Sequence, residues 1–174
     1  PEERNASLQL KTKHSQLVSV QIHIIAVGDR MPAWVEEAYG EYAKRMPREC
    51  RLRLHEIPAG RRGKNADVAR LARDEGARQL SAVPDGCRIV ALDVAGRALD
   101  SNELAARLRR QMETGRDLAL LIGGPEGLSP ECLAAAEERW SLSALTLAHP
   151  VVRVVVAEQL YRAWSIISHK PYHR

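Results

Sequence analysis

The sequence predicts an α/β protein, with a mainly parallel sheet and helices on both faces. Three observations carry this. Short apolar runs alternate with helical patterns of a dozen or so residues. The run Leu118-Ala-Leu-Leu-Ile122 is continuously apolar, as a strand covered on both faces must be. Gly, Pro or a capping residue punctuates most junctions.

Each element has its own justification. Val20 to Val27 alternates into a buried strand, ended by Gly28-Asp29. Pro32 to Met46 reads as a helix with Pro in its first turn and Trp34, Val35, Ala38, Tyr39 and Tyr42 along one side. Arg51 to Ile57 is a strand, and Pro58 to Lys64 a basic, glycine-containing loop. Asn65 is suited to cap a helix running to about Ala82. Pro84-Asp-Gly86 turns the chain into a strand at Arg88–Leu92, followed by a loop at 93–97. Asp100 and Glu103 have the spacing of a capping box for a helix to Thr114, with Gly115 as its stop. After the strand 118–122 comes the loop Gly123-Gly-Pro-Glu-Gly127. Ser129-Pro130 then opens a helix expected to reach about Arg139. Leu142 to Leu147 reads as strand or loop. A strongly apolar helix spans Val151 to Ile167, and the chain closes on a tail, His169 to Arg174.

At 174 residues the chain has room for one domain of about 150 residues plus an extension. Residues 1–19 are polar and lack a sustained period, so they read as an extension or expression remnant; residues 20–174 form the domain. Composition is that of a soluble globular protein, with 45% hydrophobic and 28% charged residues. No apolar run approaches the roughly 20 residues of a membrane span. No secretory leader shows in the first residues. Three separated cysteines, Cys50, Cys87 and Cys132, without C-x-x-C or His partners at zinc spacing, read as buried thiols in a cytoplasmic protein with no metal. Net charge is +4, and 21 of the 26 basic residues are Arg, a mild excess that suits a phosphate-rich partner.

Several segments could carry chemistry. Paired glycines straight after a buried strand, in Gly123–Gly127, allow a ligand or another backbone to approach closely. They fit neither a Walker loop nor a G-x-G-x-x-G dinucleotide motif. Trp140-Ser-Leu-Ser-Ala-Leu-Thr-Leu147 interleaves small, apolar and hydroxyl residues. It could wrap an adenine with backbone amides and carbonyls, or be an ordinary buried strand. Arg153 and Glu158 interrupt an apolar helix. Arg61, Arg62 and Lys64 offer phosphate contacts, or simply solvated charge. In α/β sheets ligands bind at the carboxyl ends of strands, so the loops after Leu92, Ile122 and Leu147 are the ones that matter.

Taken together, several stretches resemble the RlmH-type family, bacterial large-subunit rRNA pseudouridine N3-methyltransferases of the SPOUT class. They are Ala26-Val-Gly28 with Met31-Pro32, Glu56–Gly60, Arg62–Ala66, Leu121–Leu128, Trp140–Leu147, His149-Pro150, Leu160–Trp164 and Pro171–Arg174. The resemblance runs from about Val20 to the end. It implies a C-terminal trefoil knot and S-adenosylmethionine held by Leu92, Gly123, Leu142, Ser143, Ala144, Leu145, Thr146 and Leu147. It implies a homodimer through the helix 151–167. The substrate it implies is a pseudouridine in helix 69 of 23S rRNA on the assembled ribosome. The chemistry would be in-line attack of the pseudouridine N3 on a sulfonium methyl, which needs no metal. On that reading His173 serves as base by residue type. Arg153 or Arg174 steadies the developing oxyanion, Arg61, Arg62 and Lys64 meet RNA, and Tyr172 stacks on the target base.

Overall fold

In a computed structural model that describes residues 17–173, five parallel strands form one sheet in the order β2-β1-β4-β3-β5. The strands are β1 (Val20–Val27), β2 (Cys50–Ile57), β3 (Arg88–Ala98), β4 (Leu118–Ile122) and β5 (Glu138–Ser141). The helices are α1 (Ala33–Ala43), α2 (Val68–Ser81), α3 (Ser101–Thr114), α4 (Pro130–Ala135) and α5 (His149–Ile167), with a 3₁₀ turn at Pro171–His173.

The alternation of side chains along a strand explains the layering. Ile22, Ile24, Leu118 and Leu120 point to one face, where they pack with Leu108 and Met112 of α3 and Val156, Ala157 and Leu160 of α5. Ile25, Val27, Ala119 and Leu121 point to the other, toward Cys132 of α4 and Leu80 of α2. Both β1 and β4 are therefore buried on two sides, which is why they read as near-continuous apolar runs.

The capping box forms as expected: Asp100 accepts from the Glu103 N–H, Glu103 accepts from the Asp100 N–H, and Gly115 ends α3 at φ 68°. Three expectations need correction. Asp67, not Asn65, caps α2, its carboxylate accepting from the Arg70 N–H at 3.0 Å. The helix opened by Ser129 stops at Ala135, not near Arg139. Ala136 turns extended and the Glu137 N–H donates to Ile89 O, launching β5 along β3. Glu138 is then held by Arg88, Arg107 and the Trp140 indole, so tertiary anchors override a strongly helical Leu-Ala-Ala-Ala-Glu-Glu run. Finally, β3 does not end at Leu92. Leu92 and Arg97 both pair with Trp140, so residues 93–96 arch out of the ladder and β3 resumes. The arch needs Gly96: a Cβ there would sit 2.7 Å from the Trp140 carbonyl carbon.

Just ahead of β1, Val18 makes contacts with the domain. The Val18 N–H donates to Met112 O, and Val18 packs against Gly115. Residues 1–16 of the expected extension lie outside the described residues, as does Arg174.

Candidate active site

A cavity of about 530 Å³ opens over the arch of β3 and the carboxyl ends of β4 and β5. That is the range of small-molecule sites. The arch inside β3 and the loops after β4 and β5 build it. The β3 arch supplies Asp93 and Val94, the Gly123–Leu128 turn supplies a second wall, and the segment from Ser141 to His149 supplies the third. Leu92, Gly123, Leu142, Ser143, Leu145, Thr146 and Leu147 all line it, as a set expected from one ligand would; Ala144 does not. Leu145 stands at the rim and is 74% exposed. The segment 142–147 is an irregular loop rather than a strand. It is braced by Ser141 Oγ donating to Ser143 O and by the Leu145 N–H donating to Ser143 Oγ.

Gly123 has a particular reason to be glycine. A Cβ would lie 2.6 Å from Leu128 N and closer still to the Gly127 carbonyl. The turn closes on itself, with the Gly127 N–H donating to Gly124 O at 2.9 Å. So the close approach at this motif is backbone to backbone, and it shapes the cavity wall.

His149 is the residue that pattern reading did not single out. It opens α5 and lines the cavity. Burial, then the nearby Arg153 and Arg62 cations, lower its pKa from the ordinary 6.5, so its imidazole is neutral at pH 7 and able to accept a proton. Its neighbour Gly28 has φ 111°; a Cβ there would meet Met31, Arg153 and His149 together. The only sequence signal was the adjacency of His149 to the helix-opening Pro150.

Arg153 does not line the cavity. It is 1% exposed, donating to Glu56 at 2.7 Å and to the carbonyls of Val27 (3.3 Å) and Gly28. It ties the start of α5 to the ends of β1 and β2 and is not presented to a substrate. Glu158 pairs instead with Arg162, one turn along α5.

Nor is Arg62 a free cation. Its guanidinium bonds both Glu75, 2% exposed in side chain, and Glu126 of the Gly123–Gly127 loop, and these two carboxylates raise its pKa. Arg61 and Lys64, in the same loop, are exposed. Tyr172 packs on α5: its hydroxyl donates to Glu158 at 3.0 Å, its ring meets Tyr161 edge-on, and Arg162 lies over its face. Burial, followed by hydrogen bonding with Tyr42 and Glu158, raises its pKa. His173 ends the 3₁₀ turn.

A wholly parallel sheet with a nucleoside-sized cavity on the carboxyl side of its strands defines a ligand-binding α/β protein. The family model described as "Predicted SPOUT methyltransferase" matches residues 20–173, and the chain belongs to that family. It is 61% identical over 155 residues to the ribosomal RNA large subunit methyltransferase H of Thioalkalivibrio sulfidiphilus (strain HL-EbGR7), covering 89% of this chain and 99% of that protein. A solved Legionella pneumophila structure, described as a putative methyltransferase with bound SAM, aligns at TM-score 0.46 and 11% identity. That alignment covers 86% of this chain and 68% of the other.

Proposed function

We propose that this protein transfers a methyl group from S-adenosylmethionine to large-subunit rRNA, at N3 of a pseudouridine in helix 69 of 23S rRNA on the assembled ribosome. The observation that carries the reading is the near full-length 61% identity to a protein named for large-subunit rRNA methylation. The cavity fits the cofactor in chemistry as well as size. Leu92, Ile122, Leu142 and Leu147 offer apolar walls for adenine, and the exposed backbone of 142–147 offers the polar contacts. Asp93 places a carboxylate where a cationic ligand is favoured.

When bound, S-adenosylmethionine supplies an electrophilic methyl on a sulfonium. The residues of the chain then have two tasks. Gly123 and the 142–147 loop orient the ligand and exclude water. His149, neutral at working pH, accepts the N3 proton at a ring nitrogen as the nucleophile develops. Arg153 acts by positioning, holding the first turn of α5 and Gly28 around that imidazole.

The tail, Tyr172 with His173 and Arg174, orients the target base from a second copy of the chain. Tyr172 is anchored at Glu158 and Tyr161, whereas the cavity reaches α5 at His149 and Val152. Six to twelve residues of helix separate these points, about 9–18 Å at 1.5 Å per residue. A tail so placed reaches a cavity more readily in a homodimer packed through α5. From 151 to 168 every residue of that helix and its cap is buried or half-buried, and Val151, Val154 and Val155 form an apolar half-buried face. The path through β3, β5 and α5 is read as the family's knot, with the Gly96 arch closed tightly on Trp140. Among the described residues no helix is long and apolar enough to cross a membrane. Three buried free thiols suit a cytoplasmic enzyme.

The experiment is transfer of labelled methyl to ribosomes from a strain lacking the endogenous activity, with the product nucleoside identified after digestion. Label in 3-methylpseudouridine from helix 69 is expected. Cofactor binding without transfer to any ribosomal RNA would overturn the reading in favour of a binding or assembly factor.

A further inference from the structure

At the end of the sheet opposite the cavity, three side chains of different chemistry converge. His23 lies on β1, Cys87 immediately precedes β3 and Asp117 immediately precedes β4. Because β4 sits between β1 and β3, these positions are neighbours despite lying 64 and 30 residues apart in sequence. Each offers one ligand atom, and these atoms all lie within 4.8 Å of one another. His23 and Cys87 are 7% and 6% exposed, while Asp117 reaches in from a half-exposed edge.

The surroundings orient these groups as outer-shell partners orient metal ligands. His23 Nδ1 is 2.9 Å from His55 Nε2, which leaves His23 Nε2 facing Asp117 Oδ2 at 4.0 Å. The Gln21 N–H donates to the other carboxylate oxygen, Oδ1, at 2.8 Å. Two nearby cations are occupied elsewhere. Arg116 bonds Glu137 and the carbonyls of Gly86 and Cys87, and Arg53 bonds Gln21.

We propose that His23, Cys87 and Asp117 bind a single divalent ion of the zinc class. One imidazole, one thiolate and one carboxylate are a donor set that zinc accepts, and three protein ligands leave a fourth position for water on the open Asp117 side. Zinc bonds of about 2.0–2.3 Å place tetrahedral ligands roughly 3.3–3.8 Å apart. Closing the present spacing needs shifts of about 1 Å or less. Binding displaces the Cys87 thiol proton to solvent. The cavity at the carboxyl side of the sheet is lined by none of these residues. The ion therefore acts as a clip across the starts of β1, β3 and β4.

The test uses the full chain freed of metal with a chelator, then titrated with Co(II) and competed with Zn(II). The expected result is one equivalent of cobalt with a thiolate-to-metal charge-transfer band and four-coordinate visible bands, abolished by zinc, and a melting temperature that rises with zinc concentration. Cys87→Ser removes the charge-transfer band. Asp117→Asn keeps an acceptor for the Gln21 N–H, so it folds, and it weakens zinc binding by at least on the order of tenfold. His169→Gln, on an exposed residue, leaves zinc affinity unchanged. Two results would overturn the proposal. One is a folded wild-type protein that shows no charge-transfer band at millimolar cobalt. The other is zinc binding that survives both Cys87→Ser and Asp117→Asn.

Discussion

Replacing Gly123 by alanine adds one methyl group, and the structure gives its consequence. The new Cβ would sit 2.6 Å from Leu128 N and nearer still to Gly127 C and O, all of them backbone atoms that cannot rotate away. An ordinary contact needs about 3.4 Å or more, so the Gly123–Leu128 turn must open by about 1 Å. Forced overpacking of this kind costs roughly 1–3 kcal/mol. At about 2–4 °C per kcal/mol for a domain this size, the melting temperature falls by several degrees. The opened turn is also a cavity wall, so S-adenosylmethionine affinity falls by at least about tenfold, or 1.4 kcal/mol. Gly40→Ala is the matched control. Gly40 lies inside α1, and a methyl group added there would meet nothing within 4 Å. The same methyl there stabilises by about 0.5–1 kcal/mol. Scanning calorimetry and isothermal titration read both. A Gly123→Ala protein with wild-type melting and wild-type cofactor affinity would refute the claim that backbone approach shapes this wall.

Three other outcomes follow from the same geometry. Arg153→Met strands the Glu56 carboxylate and two carbonyls; because Glu56 is partly exposed and can rehydrate, the loss is about 2–3 kcal/mol rather than that of a fully buried pair, read by urea unfolding. With its pKa lowered, His149 is neutral above 6.5, and the stability it contributes there is lost as pH falls through its folded value; single-turnover methyl transfer should likewise fall on an acid limb below pH 6.5 that His149→Gln abolishes. Deleting residues 171–174 should leave cofactor affinity within about 1 kcal/mol yet reduce transfer by on the order of a hundredfold; mixing that chain with His149→Gln should restore about a quarter of wild-type activity through heterodimers with one intact site, and no recovery would place the tail outside the partner's site.

Much of this architecture was legible because local and global signals agree. The doubly buried β4, the Asp100–Glu103 box and Gly115 each follow from a rule acting over a few residues. The stretches at 123–128 and 142–147, which both contribute to the cavity wall, stood out as a paired-glycine turn after a strand and as an uncharged strand or loop. What escaped depends on distant partners. β5 is imposed on a helix-forming sequence by Arg88 and Arg107, 50 and 31 residues away. Arg153 is fixed by Glu56, 97 residues earlier, which no helical spacing could reveal. Asn65 and Asp67 are both competent caps, and only the turn at Gly63, whose carbonyl accepts from the Ala66 N–H, settles which one meets the helix.

Arg62 bears on how the protein would meet a polyanion. Its two carboxylates connect the basic loop, helix α2 and the Gly123–Gly127 turn, and Glu75 also accepts from the Gly60 N–H. Pulling Arg62 toward a phosphate would leave Glu75 as an unpaired buried carboxylate, a penalty of several kcal/mol that one phosphate contact does not offset. In a salt titration of RNA binding this loop therefore counts as two cations, Arg61 and Lys64. By counterion release, its share of the slope of log affinity against log salt is about −1.8 for a duplex target, not the roughly −2.7 that three basic side chains suggest.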